Sequence, residues 1–348
     1  MQDSLVTFVA RQLRGRRVVL AVSGGRDSMA LMHAAAAGAR DSIACVASFD
    51  HATGEQSARA VALVIRLAGE LGLEVMTSCA PRAGRSEAEW RAQRWSFLRR
   101  VARDRDAQVA TAHTRDDQLE TVLMRTMRGS GARGLAALEA RTGDAQGILH
   151  PLLAQTRAHL AAYAERSLLE WVDDPSNARL DHLRNRVRHD LLPALLRAKP
   201  SFAAELLAIG TRAAELRAEV ERFVDLELGL EHRLGGISVA REIMLRYDAK
   251  ELALLWPAVA ARAGATLDRR GTERLVAFTT EYRNGARAPL SGGFEVVGHR
   301  GALIVRKSES DARTDALSLS AGVQLGSFRF DARDEDVVSL WSAELPAA

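Results

Sequence analysis

The sequence predicts an α/β protein: a mainly parallel sheet covered by helices on both faces, then a helical arm, then a small α+β unit. Three observations carry that expectation. Short apolar or β-branched runs alternate with helical stretches through the first half. A basic, mostly helical pattern broken by prolines fills the middle. Near residue 300, two apolar runs flank a glycine-bearing turn, the pattern of a β-hairpin. A chain of 348 residues with 47% hydrophobic content can bury a sizeable core in roughly two domains.

In chain order, residues 1–17 read as a short amphipathic helix without the small-residue cleavage site of a secretory signal. No apolar run reaches membrane-spanning length, so a cytoplasmic protein without membrane contact is expected. Strands are expected at 17–22, 42–49, 73–78 and 107–112, and helices at 28–37, 55–71, 86–104 and 115–128. A short apolar piece, 148–153, precedes a helix over 157–168. Residues 182–228 read as helical, interrupted at Pro193 and Pro200. A second unit over 232–310 is helical first and ends in strands at 294–297 and 302–306, around a turn containing Gly298 and Gly301. The last stretch, 311–348, is too short to fold alone without help. The expected division is 1–200, a helical linker at 201–231, a small α+β domain at 232–310, and 311–348.

The richest local signal is Ser23-Gly24-Gly25-Arg26-Asp27-Ser28, set between an apolar strand and a helix. Such a turn offers backbone N–H groups and a positive helix end to an anion. Gly24 and Gly25 allow close approach to a phosphate, Ser23 and Ser28 add hydroxyl donors, and Asp27 suits a magnesium ion. No Walker lysine is present. Asp50, His51 and His113 fall at the carboxyl ends of other strands, where ligands of such sheets collect. His113, Asp117 and Glu120, at spacings of four and three, share one helical face. Those carboxylates read either as ordinary first-turn dipole partners or as ligands for a metal or a cationic substrate.

Net charge is +4, and only Lys199, Lys250 and Lys307 are lysines. Arginines cluster at 82–105, 125–133 and 179–197. Each cluster reads as a solvated face or as a contact for RNA phosphates, and Arg184 with Arg188 forms one basic face suited to phosphate or carboxylate, or simply solvated. Two cysteines, Cys45 and Cys79, with no Cys-x-x-Cys, argue against a cysteine-held metal or sulfur carrier.

The loop at 23–28 resembles that of the pyrophosphatase-loop (PP-loop) ATPases. With Asp50-His51, Ala112-His113, Asp116-Asp117-Gln118, Glu120-Thr121, Arg128-Gly129-Ser130-Gly131 and Gly134-Leu135, the chain resembles the tRNA(Ile)-lysidine synthetases. Pro151-Leu152-Leu153, Asp174-Pro175-Ser176-Asn177, Arg184-Asn185, Arg188 and Pro193 extend the likeness over about residues 15–200. Weaker similarity continues into 232–310. Departures are Ala52-Thr53-Gly54 where the family has a glycine, a leucine and a basic residue, Trp90 and Trp95 in place of alanine and tyrosine, and a reduced C-terminal part.

The resemblance implies an adenine nucleotide alpha hydrolase-like fold and a ligase. The O2 of the wobble cytidine of a CAU-anticodon isoleucine tRNA attacks the ATP α-phosphorus, and the ε-amine of free lysine then displaces AMP. It implies ATP contacts from Ser23, Gly24, Gly25, Arg26, Asp27, Ser28, Asp50, His51 and His113, with magnesium on Asp27. Catalytic roles fall to Asp27, Asp117 and Glu120. tRNA contacts fall to Arg91, Arg94, Arg128, Arg133, Arg184 and Arg188, and 232–310 becomes a tRNA-binding domain. Oligomeric state stays open, a homodimer included. The alternatives are a tRNA-thiolating PP-loop enzyme, a small-molecule amidating ligase resembling NAD synthetase, and a non-catalytic RNA-binding module.

Overall fold

The computed structural model describes residues 4–80, 87–139, 147–173, 183–233, 235–281 and 283–308, with backbone alone at 323–325, 328–331 and 342–343. Two compact units divide between Leu226 and Glu227.

The first unit opens with α1 (Leu5–Leu13), capped by the Ser4 hydroxyl, which accepts from the Thr7 N–H at 3.2 Å. Leu5, Val9 and Leu13 recur at helical spacing and are buried. β1 (Val18–Ala21), α2 (Arg26–Gly38), β2 (Ile43–Asp50), α3 (Glu55–Glu70), β3 (Val75–Cys79), α4 (Glu87–Asp104) and β4 (Gln108–Ala110) then alternate. α5 (Arg115–Met127), α6 (Ala132–Leu135), β5 (Ile148–Leu149) and α7 (Arg157–Arg166) follow. The strands form one parallel sheet in the order β3-β2-β1-β4-β5.

Alternation along β1 decides which side chains meet which layer. Val18 and Leu20 join Met29, Leu31, Val64 and Leu160 on one face, while Val19 joins Cys45, Phe97, Leu98 and Val101 on the other. Both faces are buried, as an all-parallel sheet requires. The chain reverses its direction of winding between β1 and β4, so the crevice at their carboxyl ends is the topological switch point. The loop at 23–28 leaves β1 there, and the segment carrying His113 and Asp117 leaves β4 beside it.

Three expectations shift. α2 starts at Arg26, because Gly25 serves as its N-cap, and this brings Asp27 into the first turn. The apolar piece at 148–153 supplies a fifth strand through Ile148 and Leu149, which pair with Val109 and Ala110. The first boundary lies at 226/227 instead of 200. After α8 (Leu183–Arg186), a π-helical turn (Val187–Leu191) and α9 (Leu192–Ala198), the long α10 (Phe202–Glu227) packs Leu206 and Leu207 against Leu119, Val122 and Val187. A helix with its apolar side in that core is part of the unit and not a linker. Pro193 sits at the start of α9, where its missing N–H costs nothing.

The second unit holds a five-stranded antiparallel sheet in the order β6-β7-β10-β9-β8. The elements are β6 (Glu231–Arg233), β7 (Gly236–Ala240), α11 (Arg241–Met244), α12 (Ala249–Arg262), α13 (Arg269–Glu281), β8 (Arg287–Leu290), β9 (Phe294–His299) and β10 (Ala302–Lys307). Trp256 of α12 is fully buried and donates its Nε1–H to Thr279 Oγ1 of α13 at 2.9 Å. The expected hairpin is present, with a tighter turn: His299 pairs with Ala302, so only Arg300 and Gly301 bridge the strands, both at positive φ. Gly298 belongs to β9. Backbone strands at 323–325, 328–331 and 342–343 form a separate small antiparallel sheet.

Candidate active site

The loop after β1 is built for close approach. Gly24 has φ +80°, and a Cβ there would stand 2.9 Å from the Ala60 backbone oxygen. Ser28 Oγ donates to Gly25 O at 2.8 Å and accepts from Ser23 N–H at 3.2 Å, closing the loop on itself. Gly25 has no side chain to cap α2, so the N–H groups of Arg26 and Asp27 carry no side-chain cap, while Ser28 N–H donates to Gly25 O at 3.0 Å. The dipole end and these donors form an anion cradle. Asp27 stands at its edge, 3.6 Å from Arg26 Nε and 3.7 Å from Arg157 Nε. Burial raises its carboxyl above the usual range, against the pull of Arg157 and Arg26. Its Oδ1 is buried without a hydrogen-bond partner, as is Arg26 Nε. A buried carboxylate oxygen without a hydrogen-bond donor, its arginines at 3.6 Å and beyond, fits a site that would hold magnesium beside the phosphates.

At the end of β2, Asp50 Oδ1 accepts from Ala52 N–H at 2.8 Å and from the Ser57 hydroxyl. This anchors a turn in which Ala52 adopts φ +56°. The His51 ring packs 5.1 Å from Phe49 and 6.4 Å from Trp90 of α4. Asp50 thus shapes the rim beside the cradle, committed to its own turn.

After β4, Thr114 caps α5 in a reciprocal box: Asp117 N–H donates to Thr114 Oγ1 at 3.3 Å, and Asp117 Oδ2 accepts from Thr114 N–H at 2.8 Å. One turn on, Glu120 lies on the same face with its side chain 1% exposed. Asp117 therefore caps its helix and faces the site at once. Its other oxygen, Oδ1, is 3.0 Å from both Arg157 and Arg184. Glu120 receives Arg184 Nε at 2.9 Å, Arg188 Nε at 2.7 Å and Arg157 at 3.3 Å. Burial alone would raise both carboxyls. Arg157, the Thr114 N–H and Arg184 hold Asp117 below its usual range, and Arg188, Arg157 and Arg184 do the same for Glu120.

Arg184 and Arg188, expected from the resemblance to contact RNA phosphates, turn inward here onto the acidic pair. Two buried carboxylates attract the nearest guanidiniums more strongly than solvent does. Arg133 is likewise paired, 2.9 Å from Glu221. Arg94 is largely buried in α4, where burial and then Arg91 lower its basicity. Arg91 and Arg128 are exposed. Asp174 to Asn177 lie outside the described residues.

Two site residues escaped sequence reasoning. Arg157 touches Asp27, Asp117 and Glu120 and so joins the phosphate cradle to the acidic pair. Its signal was a cation at the first position of a helix, where the dipole disfavours one. His150 follows β5 as Thr111 follows β4, and both fall within hydrogen-bond distance of His113. Its only trace in the sequence was a polar residue inside the apolar piece at 148–153.

A parallel sheet with an anion cradle at its switch point and an uncapped helix behind it defines a nucleotide-binding α/β protein without a Walker lysine. The comparisons agree: residues 1–195 match the PP-loop domain family. A tRNA(Ile)-lysidine synthase of Salinispora tropica is 36% identical over 303 residues, spanning 82% of this chain and 89% of that protein. Another, from Chlorobaculum tepidum, is 30% identical over 316 residues, with 84% and 92% covered. A third, from Bradyrhizobium diazoefficiens, is 42% identical over 219 residues, 60% of each chain. The chain belongs to the tRNA(Ile)-lysidine synthase family of PP-loop proteins. Among solved structures, the U34-tRNA thiolase NcsA of Methanococcus maripaludis shares the fold, with TM-score 0.52 at 14% identity over 61% of this chain and 78% of that one.

Proposed function

We infer that the chain is an ATP-dependent ligase that joins free lysine to the wobble cytidine of a CAU-anticodon isoleucine tRNA, releasing AMP and pyrophosphate. One observation carries most weight: an anion cradle and a buried acidic pair lie on one rim, bridged by Arg157, which reaches both. The cradle suits the pyrophosphate of ATP, and the acidic pair suits the ammonium groups of lysine.

In the first step the cytidine O2 forms a bond to the α-phosphorus as the bond to the β-phosphate oxygen breaks. Ser23 and the N–H groups of Arg26 and Asp27 at the start of α2 would hold the departing pyrophosphate, and Arg26 and Arg157 would offset its growing charge. Asp27 would hold magnesium, which would supply positive charge against the phosphates. In the second step the lysine ε-amine attacks C2 of the adenylated base, and AMP leaves with the oxygen. Lysine reaches the site as an ammonium, with a pKa near 10.4, and must lose a proton before attacking. Asp117 and Glu120, held ionised by their arginines, would grip the ammonium form, and the proton would pass to solvent before the amine attacks. RNA would approach along the exposed Arg91 and Arg128. An unpaired anticodon base can be turned into the rim at small cost.

A thiolating reading finds little support in two cysteines, one of them buried with its thiol pushed up by that burial. Among the described residues no helix is long and apolar enough to cross a membrane, in keeping with a tRNA-modifying enzyme of the cytoplasm. The deciding experiment is incubation with ATP, labelled lysine and total tRNA, then digestion to nucleosides. Label in a modified cytidine from isoleucine tRNA is expected. Label confined to a small molecule would support an amidating ligase instead.

A further inference from the structure

The site contains a group of three side chains outside the ion cage, of which the resemblance assigns a role to His113 alone. Thr111 Oγ1 lies 2.7 Å from His113 Nδ1 and 2.7 Å from His150 Nδ1, and the two Nδ1 atoms are 3.3 Å apart. The rings meet edge to face, with centroids 4.9 Å apart. The register makes this arrangement inevitable. Ala110 pairs with Leu149 and Thr111 N–H donates to Leu149 O at 3.0 Å, so Thr111 and His150 emerge side by side from neighbouring strands.

Counting protons fixes the tautomers. A threonine hydroxyl has one proton to give, so it donates to one imidazole and accepts from the other. Two bare Nδ1 atoms would oppose lone pairs at 3.3 Å, and two protonated ones would oppose hydrogens. The two neutral rings must therefore be opposite tautomers. Both rings are neutral at ordinary pH. Burial and the arginines 184, 94 and 91 bring His113 down to about 4, against Asp117, and burial and His113 do the same for His150. With Nδ1 engaged on each ring, Nε2 is the atom left for a ligand.

We propose that His150 is a positioning residue: it donates Nδ1–H to Thr111, Thr111 donates to His113 Nδ1, and His113 is thereby fixed as the Nε2–H tautomer that donates to the bound nucleotide. The direction of the chain follows from the ligand, since a polyanion needs a donor from a neutral ring. This last step rests on the ATP reading of the rim, whereas the tautomer pairing does not.

The test uses the full-length protein labelled with ¹⁵N-histidine, together with three variants. His113→Gln assigns the His113 resonances among the nine histidines. His150→Leu removes the donor, and His150→Asn restores an N–H close to the place of Nδ1. In the unliganded wild type, His113 is expected as Nε2–H and His150 as Nδ1–H, both neutral at pH 6. In H150L, His113 loses its single tautomer, and the KM for ATP rises roughly tenfold, as for loss of other orienting partners. H150N recovers both the tautomer and most of the lost ATP affinity. The chain is overturned if wild-type His113 carries its proton on Nδ1, or if H150N behaves as H150L while both remain folded by circular dichroism. Intact tautomers with an ATP KM indifferent to H150L overturn the nucleotide contact alone, and with it the ATP reading at His113.

Discussion

At the scale of single residues, the site works by setting carboxylates, imidazoles and one glycine into states they would not hold in water. Asp27 Oδ1 is buried and unsatisfied, so Asp27→Asn should keep the fold and lower pyrophosphate exchange by on the order of 100-fold. Exchange at the wild-type rate would remove Asp27 from the phosphate site. Gly24→Ala meets both a positive φ and the Ala60 backbone. It should cost about 1–2 kcal/mol of stability and weaken ATP binding, measured by urea unfolding and titration of ATP.

The titrations have a definite sign. His113 and His150 are depressed to about 4 when folded, so between about pH 6.5 and 4 the unfolded chain binds more protons and stability falls as pH falls. The slope is up to about 1.4 kcal/mol per pH unit for each ring. Asp117 and Glu120, depressed below their ordinary values, add a further loss at lower pH, while the raised Asp27 opposes it. Urea midpoints measured from pH 4 to 8 should show the histidine-driven decline above pH 4.5. A flat profile there would contradict the buried neutral pair.

At the scale of elements, the arm at 183–198 closes the site with charge. α8 and the π-helical turn present Arg184 and Arg188 to Glu120, and these guanidiniums are among its only partners among the described side chains, with Arg157. Replacing Arg184 and Arg188 together by glutamine leaves a buried carboxylate with one cation. The expected loss is about 3 kcal/mol, read by urea unfolding. tRNA binding should behave differently at the exposed Arg91 and Arg128. Glutamine at either should flatten the salt dependence by about one unit of slope without changing stability. A larger slope change from the Arg184 and Arg188 pair than from Arg91 and Arg128 would return the arm to the RNA surface.

The element scale also shows what the sequence could disclose. Strands, helices and the 23–28 loop were legible because period, glycine placement and strand–helix order are local. Asp117 and Glu120 were legible as one face because helical spacing is local too, whereas His113, expected on the same face, precedes the Thr114 cap and lies outside α5. The partnership of that face with Arg157, Arg184 and Arg188 spans up to about 70 residues and arises only when α5, α7 and α8 converge. A basic helix face looks alike whether it meets solvent, RNA or a buried acid. The placement of α10 was hidden for the same reason, since its apolar side does not say which neighbour it covers.

At the scale of the whole molecule, the fold divides labour in space. The switch point between β1 and β4 gathers the phosphate cradle, the imidazole chain and the acidic pair onto one rim. The second unit is an independent antiparallel sheet backed by α12 and α13, with its own core around Trp256. The most direct test of the central claim is the identity of the nucleotide products when ATP, lysine and isoleucine tRNA are combined, resolved by ³¹P NMR. AMP and pyrophosphate, one of each per lysine joined, are expected; ADP with orthophosphate would contradict the account.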